Sequence, residues 1–105
     1  MTLKQAVQEV IRQNTAVCTH PPTRFIQMTK EGEVENLERV ISGLVLDPEI
    51  MVRILTDLEK HKGKPIFIEE FVAMYHFGLA NEVIKEATQR TKEIQESRVF
   101  YASYR

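Results

Sequence analysis

The chain has one cysteine, Cys18, so no disulfide can close within it. A fold stapled by disulfides is therefore excluded. It has no tryptophan, and only four glycines and four prolines, which sit mostly between the periodic segments. Glycine- or proline-rich low-complexity architectures are excluded as well. Charge of one sign is also lacking. Fourteen Lys and Arg stand against fifteen Asp and Glu, for a formal net charge of −1, and the two signs are well mixed. The strongly basic balance that marks an electrostatic nucleic-acid binder is missing.

Long apolar runs are missing too. None approaches the roughly 18–20 residues that a bilayer-crossing helix needs. The first fourteen residues are interrupted by Gln5, Gln8, Glu9, Arg12 and Gln13, whereas a secretory signal has a continuously apolar core. With a single thiol, these features lead to the expectation of a cytoplasmic protein without membrane association.

What is present is helical periodicity. The 105 residues, 43% hydrophobic and 28% charged, fit one globular domain, 1–105. Leu3, Ala6, Val7, Val10 and Ile11 recur at three- and four-residue steps and predict a first helix over about 3–14, with Thr2 as its cap. Pro21-Pro22 interrupts helix, so 15–29 is expected to be irregular. Val34, Leu37, Val40, Ile41, Leu44 and Val45 predict a second helix over about 32–46. Asp47-Pro48-Glu49 opens a third, to about 62, because Asp caps well and Pro suits the first helical position. Its inner face carries Met51, Ile54, Leu55 and Leu58, and Gly63 ends it.

Residues 66–77 are the most apolar stretch, so a fourth helix over 68–77 is expected at the centre, with Phe71 in the core. Glu69 and Glu70 at its start read as a dipole partner and a solvated neighbour. Gly78 breaks it, and no breaker interrupts a long last helix over 79–104. The expected fold is all-α, a compact bundle of about five helices whose C-terminal helix partly projects.

No reaction centre assembles. Cys18-Thr19-His20 is half a zinc site, but His61 and His76 lie at unrelated spacing and there is no second Cys. The residues before Gly63 are Lys60, His61 and Lys62, which repel calcium. There is no glycine-rich phosphate loop. The chain is thus expected to be no enzyme, to bind neither cofactor nor metal, and to act as a helical protein–protein interaction module.

Self-association is the expected mode. The middle of the last helix, 88–98, is polar except for Ile94, yet its end turns apolar. Ala80, Ala87, Ile94 and Tyr101 recur every seven residues, a stripe suited to another helix, while the matching stripe Val83, Arg90, Ser97 and Tyr104 is poor. The expected contact surface is Ile94, Arg98, Val99, Phe100, Tyr101 and Tyr104, on a second copy or folded back onto the first helix. The alternative is a helix-turn-helix over 70–92 that presents Asn81, Lys85 and Gln89 to nucleic acid. Glu82 and Glu86 on that face oppose phosphate. The apolar spacing of residues 75–87, with Phe100 and Tyr101, resembles that of the helical replication-initiation domains typified by bacterial DnaD, over about a quarter of the chain. Spacing of so general a kind assigns no family.

Overall fold

The computed structural model describes residues 1–17 and 34–103, and the side chains of 1–17 and 36–101 among them. Cys18, His20, the Pro21-Pro22 pair and Tyr104 lie outside the described residues, as does the expected irregular segment from residue 18 onward.

Among the described residues five α-helices follow in order: α1 Leu3–Val17, α2 Val34–Leu46, α3 Pro48–Lys60, α4 Ile68–Tyr75 and α5 Asn81–Ser103. The all-α bundle with a long C-terminal helix is thus found. Local chemistry explains the helix ends. The Gln5 N–H donates to Thr2 Oγ1 at 3.1 Å and the Thr2 N–H to Gln5 Oε1 at 2.9 Å, a reciprocal cap for α1. Asp47 Oδ1 accepts from the Glu49 N–H at 3.0 Å, with Pro48 opening α3. That helix stops where Lys62 and Gly63 turn left-handed, at φ 56° and 77°. α4 stops at Tyr75 rather than at 77, because His76, Phe77 and Gly78 are all left-handed, at φ 62°, 55° and 71°. α5 consequently starts at Asn81 instead of 79.

The core has two apolar clusters. The larger joins Leu3, Ala6, Val7 and Val10 of α1 to Leu37, Ile41 and Val45 of α2, Ile68 and Val72 of α4, and Val83 and Ala87 of α5. The smaller joins Ile54 and Leu58 of α3 to Ile94 of α5, with Ile50, Met51, Phe67 and Tyr101 around them. Both include α5, so α5 is the element the others pack around, and α4 is not the centre. α4 buries Ile68, Glu69 and Val72, leaves Phe71 only partly buried, and exposes Met74 and Tyr75. An eight-residue helix is only about 12 Å long, roughly a third of α5, and so offers little length for neighbours to pack along.

The expected projection of the last helix does not occur. α5 has 23 residues and is about 35 Å long at 1.5 Å per residue. The molecule is 42 Å in its longest dimension, so α5 runs along it. Its seven-residue stripe is an internal seam: Ala87 and Ile94 are buried and Tyr101 packs on the smaller cluster. The second stripe faces inward too, since Val83 and Arg90 are both buried. The aromatic end meets α3 and Phe67, not α1.

Candidate functional site

Two places carry more than packing: a buried polar layer and an exposed apolar face. The polar layer comes from α5, whose turn-by-turn inward positions include Arg90 between Ala87 and Ile94. Arg90 is only 2% exposed. Its guanidinium donates from Nη1 to the Leu44 carbonyl at 3.1 Å, from Nη2 to the Asp47 carbonyl at 2.7 Å, and from Nε to Glu86 Oε1 at 3.2 Å. It thereby ties the α2–α3 junction to α5. Both carbonyls also accept a backbone N–H, from Asp47 and from Ile50, so Arg90 takes their second lone pairs, and a buried charge needs its hydrogen-bonding groups satisfied.

Glu69 faces this group from α4, with Oε2 3.6 Å from Arg90 Nη1. It is 2% exposed, so neither glutamate at the start of α4 is the solvated neighbour that the sequence suggested. Oε2 is buried and makes no hydrogen bond among the described residues. Burial holds the Glu69 carboxyl above the usual carboxylate range. Arg90 opposes that shift and Glu70 adds to it. The Thr91 hydroxyl donates to the Glu69 carbonyl at 3.2 Å, which fastens α4 to α5 again.

Glu70 does a separate job. Its Oε2 accepts from the Phe67 N–H at 3.0 Å, capping α4. It also receives Arg98 bidentately, Nη1 to Oε1 at 2.6 Å and Nη2 to Oε2 at 3.1 Å. Arg98 further donates Nε to the Gly63 carbonyl at 3.0 Å and Nη2 to the Pro65 carbonyl at 2.9 Å. Arg98 is therefore a clamp on the α3–α4 connection. A Cβ at Gly63 would meet the Arg98 Cγ at 3.2 Å, so the clamp closes on a position that glycine keeps open.

The exposed apolar face lies on α3 and at the end of α5. Met51, Ile54 and Leu58 point inward, while Val52 and Leu55 fall on the flank of the helix and remain exposed, Val52 to 66%. At 100° per residue, Glu59 shares that flank. Glu59 and Lys62 then line a shallow depression with Phe100 and Tyr101. The Phe100 and Tyr101 rings meet edge to face, with centroids 5.3 Å apart, and Phe100 is 59% exposed. Val99 and Leu46 are exposed as well.

The residues expected to form a contact surface divide accordingly. Val99 and Phe100 are on the surface, Tyr101 is half-buried between surface and core, Arg98 is engaged in its clamp, and Ile94 is inside the smaller cluster. Ile94 faces inward because it lies on the same seam as Ala87, so it has no outward face to offer. The expected nucleic-acid face is exposed at Asn81, Lys85 and Gln89. Lys85 and Gln89 line a polar depression with Glu82, Glu86, Thr88 and Lys92. Two acids against two bases leave that face without an excess of positive charge. His76 is exposed, in the left-handed turn after α4. Among the described residues, no group of three or more His, Cys, Asp or Glu could hold a metal ion. No helix of the described residues is long and apolar enough to cross a membrane.

Sequence reasoning missed the pair Glu69 and Arg90, and also the α3 flank. The signals were there. A charged residue at the register of an apolar stripe, and an acid in the most apolar segment, demand one another. Val52 together with Leu55 gives α3 more apolar positions than one inward face uses. No family model, curated protein or solved structure matches this chain at a significant level.

Proposed function

We propose that the chain is a non-enzymatic helical interaction module of the cytoplasm that associates with a second copy of itself. The observation that carries this reading is the exposed apolar flank of α3, Val52 and Leu55, with the exposed Phe100 in the depression that Glu59 and Lys62 border at the far end of that helix. Exposed apolar side chains cost solvation unless covered, and patches of them mark contact surfaces. The polar groups of the core support the same reading, because Arg90, Arg98 and Glu70 spend their hydrogen bonds on holding helices and connections together. The single thiol suits a reducing compartment.

Sedimentation velocity over a concentration range tests the reading. The native chain should move from monomer to dimer at high micromolar concentration. A Val52→Ser, Phe100→Ser double variant should remain monomeric with an unchanged circular dichroism spectrum. A native chain that is monomeric throughout, or a double variant that dimerises equally well, would refute it.

A further inference from the structure

We propose that α3 pairs antiparallel with the α3 of a second copy, about a two-fold axis near its midpoint, so that Val52 of each chain packs on Leu55 of the other. This rests on the self-association proposed above and supplies its geometry. A two-fold contact is self-complementary: if residue i meets residue j, then j meets i. Val52 and Leu55 are the exposed apolar residues of α3, and they straddle the middle of the helix Pro48–Lys60.

Charge decides the direction. The first turn of α3 carries Glu49 after the Asp47 cap, and its last turn carries Lys60, followed by Lys62. Glu49 and Lys60 lie within about 20° of each other around the helix, and a two-fold across the seam leaves both on one flank. Antiparallel pairing therefore sets each Glu49 near the other chain's Lys60, whereas a parallel two-fold puts the two copies' Glu49 on opposite flanks, where neither meets a Lys60. The helix dipoles add to the antiparallel preference. Glu59, on the Val52–Leu55 flank itself, opposes this preference, while Lys60 and Lys62 leave that end with a net positive charge. The same reversal brings Leu46, the last residue of α2 and the neighbour of the Asp47 cap, towards the other chain's Phe100 beside Glu59 and Lys62. A thirteen-residue helix spans about 20 Å, so the contact belongs to the small class of interfaces and is weak and salt-sensitive.

The test uses full-length Glu49→Lys and Lys60→Glu chains, alone and mixed in equal amounts, in sedimentation velocity at low salt. Circular dichroism verifies that each folds. In either variant alone, like charges meet twice across the two-fold, and the dimer should weaken at least tenfold. In the mixture both opposite-charge pairs are restored, and a heterodimer of near-native affinity should form. Variants that dimerise as the native chain does, or a mixture that stays monomeric, overturn the antiparallel α3 pairing while leaving self-association standing. A native chain that never dimerises removes both. Independently of any variant, the native dimer should weaken several-fold from low to high salt, and a salt-insensitive dimer also overturns the pairing.

Discussion

Glu69 and His76 show how a single residue can set a property of the whole chain. The Glu69 carboxyl is raised above its ordinary value of 4.5 by burial, and Arg90 offsets only part of that. Between 4.5 and the native value, the folded chain holds a proton that the unfolded chain has released. The stability from this group is complete below 4.5 and is lost as pH rises through the native value. Glu69→Gln cannot ionise. Its stability relative to the native chain should therefore increase in urea unfolding as pH rises from 4.5 through the native value. An unchanged difference across that range would show that the carboxyl titrates normally. His76 is exposed yet left-handed at φ 62°. A side chain in that conformation costs about 1–2 kcal/mol, and glycine avoids the cost at some loss of unfolded-state entropy. His76→Gly should thus gain about 0.5–1 kcal/mol, seen as a melting temperature higher by a few degrees. A lower melting temperature would show that the imidazole makes a contact worth more than the strain.

At the scale of elements, the contrast is between a helix read correctly and one misjudged. α1 was fully legible: its apolar steps and the Thr2 and Gln5 cap are both in the sequence, and it ends only three residues later than expected. α4 was expected at the centre because its residues are apolar on nearly every side. Centrality depends instead on how many neighbours an element can reach, and the longer α5 reaches α2, α3 and α4. The α3–α4 connection depends on α5 as well, through Arg98. Arg98→Ala releases the Gly63 and Pro65 carbonyls and the Glu70 carboxylate together. It should cost about 1.5–3 kcal/mol, the range for hydrogen bonds to a charged group. Amide hydrogen exchange should rise first in residues 62–70. Uniformly unchanged exchange would show that the connection is held by packing alone.

For the whole molecule, the position of α5 changes what a truncation means. Were α5 a projecting tail, removing residues 98–105 would leave a folded body. In this structure the deletion removes the Arg98 clamp and Tyr101 from the smaller core cluster. The truncated chain should melt at least 10 °C lower, since each kcal/mol lost shifts a domain of this size by roughly 4–8 °C. A truncation that keeps its melting temperature would restore the projecting arrangement. The apolar end of α5 is therefore part core and part surface: Tyr101 serves the first and Phe100 the second.

The amino-acid sequence by itself determined that this chain is helical, where most helices begin and end, and that no disulfide closes within it. Those features are local: apolar steps of three and four residues, caps such as Thr2 and Asp47, and stops such as Gly63. Only the tertiary structure decided which helix lies in the middle, that Arg90 and Glu69 are buried side by side, and that the apolar flank of α3 stays uncovered. Residues 69 and 90 sit on different helices, so their meeting depends on how α4 and α5 pack. The sign of a charge is local, but its cost depends on whether water or another charge lies next to it, and packing supplies that neighbour.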